Sequence, residues 1–407
     1  MSRWENKYVI GLTGNIAVGK SVVRQMLQHL GAYTIDADGL SHQAMSPGAP
    51  AYKPVIDTFG QFILNPDKTI NRAMLGNIVF SNPEALRKLE AIVHPIVRQA
   101  INTLVSRAKQ EVVVIEAIKL VEGDLKDAMD VIWVVDAKPQ TQYTRLISKR
   151  KMSEEEAKRR ITSQNPQADK LKAAAVVIQN DGNVEETWKQ VQTAWKAIGR
   201  TVPSEQVKPA APAAPAASAP AAQTPAPARE TAEEGIAPTL EVENNPVTVK
   251  RGMPSNAEVI ASFISRAGGK EVNRMDVIMA FGQKSYLLAD DQSSKTVGVA
   301  GWQVENLITR VDELHIDPAS NKLHVIAALL RAIEDASREL QSEVSFIFLP
   351  NSAGDDTVQP FLKSGYEQTS VKDIKIPAWR EAVQEIASDN VKIMTKKLRK
   401  DRVLKPI

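Results

Sequence analysis

The stretch that most constrains the fold of this chain is residues 14–21, which read Gly-Asn-Ile-Ala-Val-Gly-Lys-Ser. The apolar run at 8–12 precedes it and predicts a buried strand, and residues 22–27 follow it and predict a helix. A glycine-bounded loop between a strand and a helix offers unpaired backbone N–H groups at the positive end of the helix dipole. The stretch therefore predicts a phosphate-binding loop in an α/β fold.

Two side chains at the end of this loop predict the chemistry of its ligand. Lys20 is expected to reach the β- and γ-phosphates of a nucleotide, and the Ser21 hydroxyl is expected to hold Mg²⁺. The alternative is a chance match to the pattern G-x-x-x-x-G-K-[ST], which the preceding strand and the following helix disfavour.

Asp36 and Asp38 follow the next predicted strand, at residues 32–35. They would lie at the carboxyl end of that strand, where open α/β sheets bind ligands. One carboxylate could accept a proton from an attacking hydroxyl, and the other could orient water around Mg²⁺. The alternative is an Asx turn or a helix N-cap before Gly39. Their position beside the phosphate-binding loop favours a chemical role.

The chain between residues 40 and 109 is mostly helical in pattern, which is more than a crossover between two strands needs. We expect this insertion to form a separate lobe that covers the substrate. Apolar runs at 111–115, 130–135 and 175–178 predict further strands that alternate with helices. That alternation is typical of a parallel sheet.

A basic helical segment at residues 139–164 contains Arg145 and Arg150. A charged helix is often only a solvated face. In a kinase with a phosphate-binding loop, a helical pair at this place forms a mobile lid whose arginines meet the transferred phosphoryl group. We favour the lid for these two residues.

The composition bounds the organisation and the location of the protein. A chain of 407 residues with 43% hydrophobic residues predicts two domains with real cores. The net charge of +3 gives no electrostatic footprint for nucleic acid or a membrane. The chain has no cysteine, no signal-peptide core and no run long enough to span a bilayer, so we expect a cytoplasmic protein.

A proline- and alanine-rich segment separates the predicted domains. Residues 203–228 contain seven prolines and eleven alanines, too little apolar surface to fold. We therefore predict a first domain at 1–200, a disordered linker at 201–245 and a second domain at 246–407. The two halves are expected to fold independently.

The first half also contains a succession of short motifs. In order, they are the loop at 14–21, Asp36-Ala37-Asp38, Pro47-Gly48, Arg72, His94-Pro95, Leu120-Val121-Glu122, Gln142 with Arg145 and Arg150, residues 161–164, and Ile178-Gln179-Asn180-Asp181-Gly182. Over residues 7–199 this succession resembles the dephospho-CoA kinase family. The resemblance implies a parallel sheet of the P-loop nucleotide-kinase type, with a helical substrate lobe and a lid.

The resemblance also implies a reaction and its residues. The reaction is transfer of the ATP γ-phosphate to the ribose 3′-hydroxyl of dephospho-CoA, the last step of coenzyme A synthesis. Asp38 falls on the base, Lys20 and Arg145 on other catalytic positions, and Ser21 with Asp36 on the Mg²⁺ site. The positions expected to bind ATP are Gly14, Asn15, Ile16, Ala17, Val18, Gly19, Lys20, Ser21, Val22 and Asn180.

The loop departs from the family pattern, which is richer in glycine. Asn15, Ala17 and Val18 stand where the family has glycine or a hydroxyl residue, and Val22 replaces a serine or threonine. These positions contribute mainly backbone N–H groups, so changes of side chain are tolerable there. The exception is a positive φ at Asn15 or Ala17, because that conformation is strained for both residues and less so for asparagine than for alanine.

The second half alternates predicted strands and helices in an α+β order that resembles the GNAT acetyltransferase superfamily. Members hold the pyrophosphate of acyl-CoA with a loop of the form Q/R-x-x-G-x-G/A. Asn321, His324 and Ile326 fall on its three key positions. Because side chains there obstruct close backbone approach, we expect no standard acetyl-CoA binding.

Four functional hypotheses remain at this point. The first is a dephospho-CoA kinase that acts on ATP and dephospho-CoA and carries an accessory, non-catalytic GNAT-like domain. The second is a bifunctional kinase and N-acetyltransferase. The third is another P-loop nucleotide or nucleoside kinase, and the fourth is a non-catalytic ATP-binding regulator. The retention of Lys20, Asp36 and Asp38 favours the first over the fourth.

Overall fold

The computed structural model describes residues 4–148, 150–199, 247–386 and 390–404. The predicted linker at 201–245 lies outside these residues. Within the described ranges, no helix is both long enough and apolar enough to cross a membrane.

The first half is built on a parallel sheet with the strand order β2-β3-β1-β4-β5. Its strands are β1 (Tyr8–Thr13), β2 (Tyr33–Asp36), β3 (Val112–Glu116), β4 (Val131–Asp136) and β5 (Val176–Gln179). Every residue of β3 is buried, as its continuous apolar run predicts for an inner parallel strand. The predicted parallel α/β sheet is confirmed.

Helices cover both faces of this sheet. They are α1 (Lys20–His29), α2 (Ala37–Ala44), α3 (Tyr52–Phe59), α4 (Arg72–Ser81), α5 (Pro83–Arg107), α6 (Pro139–Ser148), α7 (Glu154–Thr162), α8 (Gln167–Ala173) and α9 (Val184–Ala197). In α1, Val23, Met26 and Leu27 recur at helical spacing and bury against one face of the sheet. Helices α2 to α5 form the predicted helical insertion and pack on the other face.

The longest helix, α5, has a clear start signal. The Asn82 side chain accepts from the backbone N–H groups of Glu84 and Ala85, and Pro83 takes the first helical position. An asparagine cap followed by proline is the local pattern that starts this helix.

The second half contains a seven-stranded sheet with the order β11-β12-β10-β9-β8-β7-β6. The strands are β6 (Thr248–Arg251), β7 (Ser285–Asp290), β8 (Thr296–Glu305), β9 (Ile308–Ile316), β10 (Val344–Pro350), β11 (Glu367–Thr369) and β12 (Val391–Lys397). Only β9 and β10 pair in parallel, and the remaining pairs are antiparallel. The predicted second α+β domain is confirmed.

The helices of the second half include the long crossover between the two parallel strands. They are α10 (Ala257–Gly268), α11 (Arg274–Ala280), α12 (Lys322–Glu339), α13 (Asp355–Lys363) and α14 (Pro377–Gln384). Helix α12 is the crossover, and its buried stripe of Val325, Ile326, Leu329, Leu330 and Ile333 packs on the sheet.

The two halves share a packed boundary. Leu307 and Leu404, both from the second half, belong to the same buried apolar cluster as α2 and α5 of the first half. The Gln341 Nε2 group donates to the Leu104 carbonyl at 2.7 Å in a buried contact. The expectation that the halves fold independently does not agree with this packing, because side chains of the second half complete the core of the first.

We expect Leu404→Ala to destabilise the first half although Leu404 lies near the C-terminus. The side chain is 5% exposed within the shared cluster, so its truncation leaves a cavity worth about 2–4 kcal/mol of unfolding free energy. Urea unfolding followed by tryptophan fluorescence measures the change. Leu362→Ala, at a leucine that is 41% exposed, is the control and should change the free energy by less than about 0.5 kcal/mol. Equal midpoints for both variants would contradict the shared core.

His29 makes the boundary sensitive to pH. Its Nε2–H group donates to the Phe281 carbonyl (3.2 Å), and its ring packs edge-on against Phe281 and Trp188. Burial lowers the pKa of His29 from 6.5 to about 4, so only the unfolded chain binds this proton between those values. Stability should therefore fall as pH drops from 6.5 to 4.

The contribution of His29 should amount to about 2–3 kcal/mol. His29→Gln keeps a donor for Phe281 but does not titrate in this range. The unfolding free energy of the variant, measured by urea titration at pH 7 and pH 4.5, should depend less on pH than that of the wild type. The same slope in both proteins would exclude His29 as the cause.

Candidate active site

The carboxyl ends of the parallel strands bring several polar side chains to one edge of the first sheet. The phosphate-binding loop follows β1, Asp36 ends β2, Glu116 ends β3 and Asp136 ends β4. Asn180 follows β5, and its backbone N–H donates to the Asp136 carbonyl at 2.8 Å. This edge is where the sequence predicted the site.

Two glycines of the loop are required by close contacts. Gly14 has a φ of +147°, and a Cβ there would lie 2.4 Å from the Val135 carbonyl oxygen. Gly19 has a φ of +98°, and a Cβ there would lie 2.1 Å from Nδ2 of Asn180. Both glycines therefore allow neighbouring strands and the Asn180 side chain to approach the loop backbone.

The departures from the family loop have different backbone consequences. Ala17 has a φ of +59°, whereas Asn15 is not among the residues with positive φ. The left-handed conformation thus falls on alanine, where it costs about 1 kcal/mol more than on glycine. The strain lies within the proposed phosphate cradle.

Apolar side chains of the loop form a small core with the lid. Ile16 is buried in a cluster with Leu146 of α6 and Ala157 of α7, and Ala17 packs against it. Helices α6 and α7 occupy the predicted lid segment. Ala17, which stands where the family has glycine, therefore has apolar partners in the lid.

Lys20 begins α1 and is 8% exposed. Its Nζ donates to the Asn15 carbonyl at 3.3 Å. Burial lowers the pKa of Lys20, and the negative charges of Glu116 and Asp38 oppose that effect. The positive charge of Arg150 lowers the pKa of Lys20 further. This lid arginine is therefore near enough to interact with the loop lysine.

The two aspartates differ in what they contact. Asp36 is the N-cap of α2, and its Oδ1 accepts from Gly39 N at 2.9 Å. The N-cap alternative is therefore correct for Asp36. Asp38 lies in the first turn of α2, and its Oδ2 accepts from Ile118 N at 3.0 Å. Burial and then the charge of Asp36 raise the pKa of Asp38, and the bond from Ile118 opposes this.

Glu116 and Arg24 form a buried ion pair behind Lys20, and the sequence analysis assigned neither a role. Arg24 Nε lies 2.7 Å from Glu116 Oε2, with side chains 11% and 8% exposed. Burial by itself lowers the pKa of Arg24. The negative charges of Glu116 and Asp36 outweigh this effect, so the pKa of Arg24 is raised. The only signal in sequence was a glutamate at the end of a buried strand.

Arg145 and Asn180 hold the loop from the side of β5. Arg145 Nη1 donates to the carbonyls of Ala17 (3.1 Å) and Val18 (3.0 Å), and its Nη2 donates to the Asn180 carbonyl (2.6 Å). Asn180 Nδ2 donates to the Val18 carbonyl at 2.8 Å. In this structure, Arg145 therefore contacts loop carbonyls, so its proposed phosphoryl contact requires a rearrangement.

The link from the lid to α8 also binds the loop. Gln164 Oε1 accepts from Ile16 N at 2.7 Å, and Gln167 Oε1 accepts from Asn15 N at 3.0 Å. Gln164 belonged to one of the short motifs, but Gln167 had no signal. The first N–H groups of the loop are thus satisfied by side chains, which leaves the N–H groups nearer α1 for a phosphate.

The residues proposed for Mg²⁺ offer hard oxygen donors. The Ser21 hydroxyl is exposed in the first turn of α1, and Asp36 keeps Oδ2 beside its capping oxygen. Across the described ranges, three or more His, Cys, Asp or Glu side chains nowhere converge to hold a metal. Mg²⁺ commonly binds through one or two protein oxygens and substrate phosphates, so this donor set fits a nucleotide-borne Mg²⁺.

In the second half, side chains fill the place of the expected glycine loop. Asn321 is the N-cap of α12, and its Oδ1 accepts from His324 N at 3.3 Å. Ile326 is buried in the core of that half. A cavity of about 210 Å³ beside this turn is lined partly by Asp317, whose Oδ2 lies 3.2 Å from Lys295 Nζ. A pyrophosphate would meet a carboxylate here.

Comparisons with known proteins found a matching family model and similar solved structures. The family model described as dephospho-CoA kinase matches residues 8–186. The solved structure of a putative acetyltransferase from Salmonella typhimurium with acetyl-CoA is 11% identical, covers 40% of this chain and 99% of that chain, and has a TM-score of 0.31.

Two curated relatives match the first half at high identity. The dephospho-CoA kinase of Geobacter metallireducens is 44% identical over 191 residues, which cover 46% of this chain and 95% of that protein. The dephospho-CoA kinase of Carboxydothermus hydrogenoformans is 43% identical over 188 residues, which cover 46% of this chain and 91% of that protein. The chain therefore belongs to the dephospho-CoA kinase family and is a kinase of coenzyme A biosynthesis.

Proposed function

We propose that this protein transfers the γ-phosphoryl group of ATP to the ribose 3′-hydroxyl of dephospho-CoA, giving coenzyme A and ADP. The observation that carries the proposal is the placement of Asp38 within electrostatic range of the loop lysine, Lys20, at the carboxyl edge of the sheet. A base and a phosphate-binding cation side by side are what phosphoryl transfer to a hydroxyl requires.

The loop is proposed to bind the phosphates of ATP. Backbone N–H groups of Gly19, Lys20 and Ser21 lie at the start of α1, where the helix dipole favours an anion. The Lys20 ammonium is already desolvated, so a phosphate oxygen can replace its weak contact with the Asn15 carbonyl. Its charge would then stabilise the β- and γ-phosphates as the bond between them breaks.

Asp38 is proposed to accept the proton of the 3′-hydroxyl. Ile118 N already binds Oδ2, so Oδ1 is the atom assigned to the proton. As that proton moves to Asp38, the hydroxyl oxygen forms a bond to the γ-phosphorus and the bond to the β-phosphate oxygen breaks. ADP then leaves. The raised pKa of Asp38 makes this carboxylate a stronger base.

Mg²⁺ is proposed as the metal that accompanies ATP and neutralises phosphate charge. Ser21 and Asp36 are the residues that would hold it. Arg145 is proposed to support the loop and then the transferred group, and Arg150 is proposed to bring positive charge towards Lys20 when the lid closes.

The second half is proposed to be an accessory module without acyl transfer. Support comes from the Asn321 cap and the buried Ile326 at positions where acyl-CoA binding needs glycine. We also propose that the protein works in the cytoplasm, with ATP and dephospho-CoA as its substrates.

Lys20→Ala should abolish ADP release that depends on dephospho-CoA, lowering kcat by at least about 100-fold because the phosphate charge loses its cation. A coupled ADP assay with saturating ATP, Mg²⁺ and dephospho-CoA measures this. Lys172→Ala is the matched control, because that side chain is 78% exposed on α8, and it should retain wild-type turnover. Failure of the wild-type protein to release ADP when dephospho-CoA is added would refute the proposed function.

Asp38→Asn should lower kcat by about 100-fold or more, because an amide cannot accept the proton. The KM for ATP should change by less than about threefold, since the loop is unaltered. Asp169→Asn, at an exposed carboxylate on α8, is the control and should keep full activity. Near-normal turnover for Asp38→Asn would remove the base role from this residue and move it to Asp36.

A further inference from the structure

A strained turn of the second half lies against the first. Asn306 and Leu307 connect β8 to β9 and have φ values of +50° and +65°. Asparagine tolerates this left-handed conformation, but leucine is strained in it. Such strain persists only where the surrounding contacts over-determine the backbone.

Leu307 is held by the core of the first half. Its side chain is 8% exposed and belongs to the apolar cluster that contains Leu40 of α2 and Leu104 of α5. Its carbonyl accepts from Glu343 N at 2.7 Å, which fixes the turn to its own domain. The strained residue therefore joins the second half to the helix that carries Asp38.

Asn306 touches the first turns of α2 directly. A Cβ on Gly39 would lie 2.0 Å from Asn306 Oδ1 and 2.8 Å from Asp36 Oδ2, so this approach exists only because residue 39 is glycine. The Gln43 side chain of α2 also donates to the Asn306 carbonyl at 2.5 Å. Gly39 in turn donates to Asp36 Oδ1. The turn thus lies against the residue that the Asp36 cap holds.

The second half also supports the helix that follows the phosphate-binding loop. A Cβ on Gly282 would lie 3.2 Å from Val22 Cγ1, and Gln25 Nε2 donates to Ser285 Oγ at 3.2 Å. The family departure at Val22 thus lies beside Gly282 of the second half. Both helices that carry proposed catalytic groups are therefore backed by the same domain.

We propose that the turn formed by Asn306 and Leu307 is a positioning element of the kinase reaction, which fixes the first turn of α2 and with it Asp36 and Asp38. This inference rests on the proposed function. It makes the second half a structural part of the kinase site and not an independent appendage.

The boundary leaves α2 room to move if the turn is altered. A cavity of about 30 Å³ lies between the halves, and its walls include Asp36, Leu40, Asn306 and Leu307. A helix that loses its support on one side can relax into such a space. A displacement of about 1 Å at a reacting group is enough to lower a rate by about 100-fold.

The first experiment uses Asn306→Gly in the full chain. Glycine keeps the left-handed turn without cost and removes only the side chain against Gly39. We expect kcat to fall about tenfold, the KM for ATP to stay within twofold and the melting temperature to stay within about 2 °C. Ser294→Gly is the matched control: its φ is +63° in the exposed β7–β8 turn, and it should keep wild-type kcat.

The second experiment tests the contact by rescue. Gly39→Ala alone places a methyl group 2.0 Å from Asn306 Oδ1 and 2.8 Å from Asp36 Oδ2 and should lower kcat, whereas adding Asn306→Gly removes the closer of these two contacts. The double variant should therefore turn over faster than Gly39→Ala. A role in stability alone predicts additive losses instead.

Two results would overturn the inference. One is a folded Asn306→Gly variant with wild-type kcat, and the other is a double variant no faster than Gly39→Ala. Both require that the wild-type protein phosphorylates dephospho-CoA. A wild-type protein without that activity would instead overturn the proposed function, so the two failures are distinguishable.

Discussion

The buried charge of Lys20 is the interaction on which the arrangement of the site depends. An ammonium that is 8% exposed loses most of its hydration, and neighbouring carboxylates must compensate for it. Glu116, Asp38 and Asp36 supply that compensation from the ends of neighbouring strands, and Arg24 balances Glu116 from behind. The carboxyl edge of the sheet therefore brings buried charges of both signs together in one group.

The loop shows how the atypical residues are accommodated. Ala17 loses the freedom of glycine but gains apolar contacts in the cluster with the lid helices, and Arg145 and Asn180 bind the carbonyls of Ala17 and Val18. Val22 is matched in the same way by Gly282 of the second half.

The boundary between the halves changes the meaning of the second domain. Its strained turn, its C-terminal leucine and Gln341 all enter the core of the first half. If the turn positions α2 as proposed, the second half is a support for the kinase site. The second half contacts both α1 and α2, and this gives a physical reason for joining the two halves in one chain.

The sequence by itself determined the parallel sheet, the loop between β1 and α1, the start of α5 and the family, because hydrophobic periodicity, glycines and capping residues act locally. It also placed Asp36 and Asp38 at the carboxyl edge. Only the tertiary structure decided that Ala17 takes the left-handed conformation, that Glu116 and Gln167 face the site, and that Leu307 enters the first core. Asn15 and Gln167, for example, are 152 positions apart, and no local pattern encodes such a pairing.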